Sequence, residues 1–286
     1  MYNLVVLFSK IVCLLPANIR RICGNLLGQF CLLLVPRKRW QMAINNAQLS
    51  LGLDKDSART MVRHSVARFG PMFMEVLALP KITAEKMADH VSISGVKYFE
   101  DALAAGKGVV LATAHSGNWE IMGAALAMHG FPLVAVVQKQ TNQAMDRFIN
   151  DYRTLAGMHV TYKSGVREMV RLLKQGMIIG LLADQDAGHD GVFVDFFGRQ
   201  ASTPQGPAAL ARLNDAPILP TFITADADGR HTIHVHPAVW VHKTADRTAD
   251  ILVTTQAVTK IVEEHIRRYP EEWFWLHNRW KTQEKV

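Results

Sequence analysis

Six short apolar runs mark the middle of the chain: "GVVLATA" (108–114), "PLVAVVQ" (132–138), "HVTYK" (159–163), "MIIGLLAD" (177–184), "GVFVDFF" (191–197) and "PILPTFITA" (217–225). Their length and β-type composition read as strands. Helical stretches at 118–129, 142–156 and 165–175 separate the first several of them. Nearly continuous apolar strands alternating with helices predict an α/β fold, a mostly parallel central sheet covered by helices on both faces. "HTIHVHPAVWVH" (231–242) alternates with period two and predicts an antiparallel strand. It would pair with the strand ending near Ala225 around "DADGR". Further helices are expected over 56–78, with a kink at Gly70-Pro71, and over about 247–269.

The first forty residues follow another pattern. "YNLVVLFSKIVCLL" and "ICGNLLGQFCLLLV" are separated by "ANIRR" and followed by "PRKRW". Neither apolar run reaches the roughly 18–20 residues of an unbroken bilayer span. Two arrangements fit: a tilted span with Lys10 snorkelling, or a helical hairpin lying in the membrane interface. The basic residues and Trp40 would sit at headgroup level, favouring the anionic cytoplasmic leaflet. A buried helical pair with a solvated basic turn is the competing reading. No A-x-A site or basic leader points to a cleaved signal. With no repeat or linker, the parse is a membrane-anchoring helical segment over 1–40 and one α/β domain over 41–286.

Charge sharpens this picture. The 286-residue chain has a formal net charge of +7, and no acidic residue precedes Asp54. Lys10, Arg20, Arg21, Arg37, Lys38 and Arg39 therefore supply most of the excess, leaving about +1 for the rest. A basicity confined to the N-terminal segment excludes a nucleic-acid-binding face as the partner surface. Cys13, Cys23 and Cys31 form neither a disulfide framework nor a metal-type spacing.

Chemistry in open α/β sheets gathers at the carboxyl ends of strands. His115, in "ATAHSGNWE" (112–120), and Asp184-Gln185 both follow such ends. His115 and Glu120 are five apart, about 140° around a helix, where metal-binding pairs sit at i and i+4. No third ligand is marked. Ser116 lies in A-H-S-G-N rather than G-x-S-x-G, which excludes a nucleophile elbow. A third arrangement puts His115 on the loop, a tight turn at Gly117, Asn118 at the helix cap and Glu120 in the first turn. The carboxylate could then reach the imidazole, fix its tautomer and make it a general base. Spacing alone leaves this open against Glu120 merely complementing the helix dipole.

The blocks "INNAQLSLG", "HSGNWE", "NDYRTLAG", "LLADQD", "GVFVDFFGRQASTPQGPAALA" and "PEEWFWLHNRWK", in this order after the apolar leader, carry a resemblance over nearly the whole chain. The sequence resembles the lipid A late acyltransferases, which add secondary acyl chains to the lipopolysaccharide anchor and share an H-x4-D/E hallmark. The resemblance implies a glycerol-3-phosphate acyltransferase-like fold. It implies transfer of a fatty acyl chain from a thioester on acyl carrier protein to a hydroxyl of a membrane glycolipid, a lipid A precursor, at the cytoplasmic face of the inner membrane. His115 would be the base, oriented by Glu120, with no acyl-enzyme, metal or cofactor. Backbone N–H groups or Arg153 would stabilise the oxyanion. Arg199 and Thr203 match a block that binds acceptor phosphate in the wider superfamily. Asp184 and Gln185 match a strand-end pair, expected to hold loop backbone rather than take part in chemistry. Trp273, Trp275 and Trp280 are expected to pack on the core; Met72, Met74 and Leu77 would be core or acyl-chain walls.

The sequence departs from the familiar members in its Lys10-broken leader, in Asp195 where proline is common, and in Ser116 where an aromatic often sits. These leave the acceptor open, since related enzymes modify other glycolipids, including phosphatidylinositol mannosides. A non-catalytic lipid-binding protein of the same fold is the rival from another class. It has no need of a base with a paired carboxylate.

Overall fold

The computed structural model describes residues 2–284. Three helices open the chain: α1 (Tyr2–Leu14), α2 (Ala17–Leu34) and α3 (Arg37–Leu51). Pro16 and Pro36 stand at the caps of α2 and α3, where a missing N–H costs nothing and a new helix starts. α4 (Lys55–Ala67) and α5 (Phe69–Ala78) replace the single helix expected over 56–78. The break falls at Arg68, ahead of Gly70-Pro71.

The α/β region runs α6 (Ala84–His90), β1 (Val91–Ser94), α7 (Val96–Ala104), β2 (Val109–Thr113), α8 (Trp119–Met128), β3 (Leu133–Val137), α9 (Gln143–Leu155), β4 (His159–Tyr162), α10 (Val166–Lys174) and β5 (Ile178–Leu182). It continues with β6 (Val192–Phe196), β7 (Arg199–Thr203), α11 (Gly206–Asn214), β8 (Ile218–Ala225), β9 (His231–Val235) and α12 (Arg247–Arg268). Seven strands form one sheet in the order β1-β9-β8-β2-β5-β3-β4. Five of them, β8 to β4, are parallel; β9 runs antiparallel to β8, as its period-two pattern predicts, and β1 follows β9.

Alternate strand residues feed different cores, which is why the strands are apolar throughout. Val109, Leu111, Leu133, Ile178 and Leu219 pack with Met74, Leu77, Ile121 and Phe148 on one face. Val110, Ala112, Val134, Ile179 and Ile218 pack with Met169, Leu173, Leu210 and Val258 on the other. Helices therefore cover both faces of the sheet.

The run 191–197 is a strand, but not of this sheet. β6 folds back on β7 as a separate hairpin, with Phe196 opposite Arg199. Its two-residue turn, Phe197-Gly198, has positive φ at both positions, the geometry that lets a tight turn match strand twist. Phe197 accepts that conformation while buried under the Arg267 guanidinium, 4.6 Å from its ring centre.

The N-terminal helices dock on the domain rather than standing apart, and the expected boundary at residue 40 falls inside α3. Gly24 and Gly28, at G-x-x-x-G spacing on α2, let it lie directly on the α4–α5 junction. A Cβ at Gly28 would overlap the Ala67 carbonyl, and one at Gly70 would overlap the α2 backbone. Ser9 of α1 donates to the Leu77 carbonyl at 2.6 Å, and Tyr152 of α9 bonds the Ser9 hydroxyl. Among the described residues, no single helix is long and apolar enough to cross a membrane; α2 and α3 qualify only as a pair bent by 103°. The outward face of α1 and α2 nevertheless leaves Leu4, Leu7, Phe8, Leu26, Phe30 and Leu33 exposed.

Candidate active site

The parallel register assembles the site. Thr113 of β2 lies opposite Leu182 of β5, and the Ala183 N–H donates to the Thr113 carbonyl at 2.9 Å, carrying the pairing past the strand ends. Two residues further on each side come His115 and Asp184. The His115 ring Nδ1 lies 2.8 Å from Asp184 Oδ1, and the His115 backbone N–H donates to Oδ2 at 3.0 Å. The Trp273 indole N–H donates to the same Oδ2 at 2.8 Å.

Asp184 is almost fully buried, its side chain 1% exposed against 21% for His115. Burial alone would depress the His115 imidazolium. The Asp184 charge, its hydrogen bond and the Glu120 charge outweigh burial and hold His115 above 6.5. Burial likewise pushes the Asp184 carboxyl up, and the imidazole with the indole and backbone N–H bonds outweighs it, holding Asp184 below 3.8. An ionised Asp184 makes Nδ1 the donor and leaves Nε2 as the basic nitrogen of the neutral ring.

The ring partner expected at Glu120 is therefore Asp184. Gly117 turns the chain at φ +67°, pressed so closely on Ile223 that a Cβ would overlap its carbonyl. Asn118 caps α8 by accepting from the Ile121 N–H at 3.2 Å. Glu120, in the first turn, faces the last turn of α9. There Arg153 grips it with two bonds, Nε to Oε2 at 2.9 Å and Nη2 to Oε1 at 2.5 Å. Arg153 Nη1 donates to Asn150 at 3.2 Å. Glu120 acts on His115 through its charge rather than by a hydrogen bond.

His115 and Arg153 both line a cavity of about 1070 Å³. Loops after β2, β3 and β5 contribute His115, Gln138 and Gln185; α10 and α11 contribute Val166, Met169, Leu210 and Leu213. A cavity lined by both polar and apolar side chains suits a substrate with a polar reacting end and a hydrocarbon tail. Of the expected residues, Met74 and Leu77 lie in the core beneath the sheet, not on this cavity.

Arg199 and Thr203 do not line the cavity. The Arg199 guanidinium stacks 3.5 Å from the Trp280 ring centre and bonds Asn46 and Ser50 of α3. The Thr203 hydroxyl, buried, accepts from the Arg279 guanidinium and donates to the Ala201 carbonyl at 3.0 Å. These two residues tie the β6–β7 hairpin to α3 and to the C-terminal segment. Trp273 reaches Asp184 from 89 residues further along the chain. Its tryptophan-rich context was the one available signal, and packing explains that equally well.

A mostly parallel α/β sheet thus carries a histidine–carboxylate pair at its strand ends, with the histidine bordering a cavity of mixed polar and apolar walls. Residues 1–282 match the family model described as bacterial lipid A biosynthesis acyltransferase, and the chain belongs to that family. The protein is an acyltransferase. It is similar to a phosphatidylinositol mannoside acyltransferase of Mycobacterium tuberculosis, 32% identical over 76% of this chain and 69% of the relative. It is also similar to the lipid A biosynthesis lauroyltransferase of Escherichia coli, 26% identical over 93% of this chain and 86% of the relative. The crystal structure of the 1-acyl-sn-glycerophosphate (LPA) acyltransferase PlsC from Thermotoga maritima aligns over 86% of this chain and 98% of that one. The two chains are 14% identical, with a TM-score of 0.39.

Proposed function

We propose that the protein transfers a fatty acyl chain from an acyl thioester to a hydroxyl of a membrane glycolipid, with His115 as general base and Asp184 as the carboxylate that orients it. One observation carries this reading: the 2.8 Å His115–Asp184 bond holds Nδ1 while the ring borders the 1070 Å³ cavity. Nε2 takes the proton from the acceptor hydroxyl as the oxygen attacks the thioester carbonyl; the imidazolium then formed is stabilised by Asp184. The proton is returned to the departing thiolate. Arg153 faces the same cavity with N–H groups left over from its bonds to Glu120 and Asn150, and supplies donors to the developing oxyanion. Gln185, at the strand end beside Asp184, orients the polar end of a substrate.

The exposed apolar face of α1 and α2, flanked by Arg20, Arg21 and Arg37 to Arg39, supports docking in the interface of the inner membrane's cytoplasmic leaflet. Acyl carrier protein is the proposed donor. For the acceptor, the family match over 1–282 favours a lipid A precursor. The 32% identity to mannoside acyltransferases favours a phosphatidylinositol mannoside as the second reading. Mass spectrometry of total lipid from cells with and without the protein decides between them. One lipid should lose the mass of one acyl group when the protein is absent; unchanged lipids refute the assignment.

A further inference from the structure

The C-terminal segment crosses directly against the loop that carries His115. The Gly117 N–H donates to the Glu272 carbonyl at 3.0 Å, and the Phe274 N–H donates to the His115 carbonyl at 3.0 Å. Ser116 and Trp273 form an antiparallel bridge between these contacts. Trp273 is 2% exposed and does not border the cavity. It is fixed from behind by the Ser65 hydroxyl on its carbonyl and by Trp275, whose ring centre stands 4.7 Å away edge to face. Beyond Asp184, Arg279 is buried against the Ser202 carbonyl and Thr203 hydroxyl and faces Asp184 and Asp186 with its charge.

This arrangement explains how a lone carboxylate is held in one plane. Rotation of a carboxylate about its last torsion is soft and needs donors on both oxygens to stop it. Oδ1 meets the imidazole; Oδ2 meets the His115 backbone N–H and the indole N–H. The His115 backbone cannot by itself hold the carboxylate against the ring, because it belongs to the same loop that must be placed. The indole, packed on Trp275 and carried by a residue whose carbonyl is held by Ser65 of α4, is the external reference.

We propose that Trp273 is a positioning residue for the acyl-transfer reaction: its indole N–H fixes the plane of Asp184, and through Asp184 the orientation and tautomer of His115. The segment 272–274 is the template on which the His115 loop is registered, so the site is completed from the C-terminal end of the chain. This rests on His115 being the base.

The test is Trp273→Phe, which keeps the ring and removes the donor, alongside His115→Ala, both purified in detergent and assayed with an acyl thioester and glycolipid extract. The far-downfield proton resonance of the His115–Asp184 bond, assigned by its loss in His115→Ala, is recorded in parallel. Trp273→Phe should lower kcat by about tenfold or more with KM within about twofold, the scale of loss when a partner behind a site ligand is removed, and should shift or abolish the resonance. A kcat near wild type, or a lower kcat with the resonance unmoved, overturns the proposal. Should Trp273→Phe fail to fold, replacing the indole by isosteric benzothiophene at position 273 reads the same two quantities. An active His115→Ala instead overturns the base assignment; an inactive His115→Ala with a wild-type Trp273→Phe sinks the positioning role alone.

Discussion

His115 and Asp184 face each other because each follows by two residues a member of the parallel pair Thr113–Leu182 that ends β2 and β5. The register of β2 against β5, rather than the spacing within one loop, makes the pair. Asp184→Asn should therefore cost far more than Glu120→Gln. An amide opposite Nδ1 favours the wrong tautomer, with an expected kcat loss of about 10²-fold or more. Glu120→Gln leaves Arg153 with a weakened partner; stability should fall by about 1–3 kcal/mol, discounted for partial exposure. Steady-state kinetics and thermal unfolding of the two variants separate these effects.

The pH dependence follows from the sign of the shifts. A base works when deprotonated, and His115 is held above 6.5 by Asp184 and Glu120 against the effect of burial. The acid limb of kcat/KM should have its midpoint above 6.5, and Asp184→Asn should move it downward. For stability, the raised His115 contributes fully below 6.5 and loses its contribution as pH rises through its folded value. The depressed Asp184 contributes above 3.8 and loses it as pH falls through its own. Unfolding midpoints across pH, with and without Asp184→Asn, check both limbs.

His265 behaves in the opposite sense. It stacks on Phe222 with ring centres 4.2 Å apart, and burial, with the neighbouring His234, pulls its value down to about 3. The unfolded chain takes up a proton near 6.5 that the folded chain refuses, so stability is lost as pH falls from there toward 3. His265→Gln keeps a partner for the Ser116 hydroxyl and removes the titration. Its unfolding temperature should vary less with pH over that window than that of wild type.

Much of this was legible in the sequence, and the parts that were not share one cause. The strands of the parallel sheet, the antiparallel β9 and helices α8 to α10 follow from local apolar pattern, because each is buried on a face its own residues specify. The hairpin escaped because GVFVDFF is as apolar as a central strand; only the positive-φ Phe197-Gly198 turn sends it elsewhere. His115, Glu120, Arg153 and Asp184 stood out at strand ends or in motif blocks, but their pairing did not. Whether Glu120 meets His115 or Arg153 depends on how α8 and α9 pack, and whether Asp184 meets His115 depends on strand register. Both are long-range relations that local spacing does not encode. Trp273 and Arg279 were hidden for the same reason, inside a segment whose tryptophans read equally well as core.

The docking of α2 is also testable. Gly28→Ala places a methyl group against the Ala67 carbonyl, and should destabilise by about 1–3 kcal/mol in urea unfolding, the usual scale of overpacking. Leu26→Glu with Phe30→Glu changes only exposed positions of the same helix. That pair should leave folding intact while releasing the protein from anionic vesicles in a sedimentation assay; unchanged binding would remove α2 from the proposed membrane face.

The most direct test of the central claim is single-turnover acyl transfer by purified His115→Ala, with the acylated glycolipid quantified by mass spectrometry. Folded, vesicle-associated protein that transfers acyl chains about 10²- to 10⁴-fold more slowly than wild type is the predicted result for loss of a general base. Transfer at the wild-type rate would contradict it and place the chemistry elsewhere in the cavity.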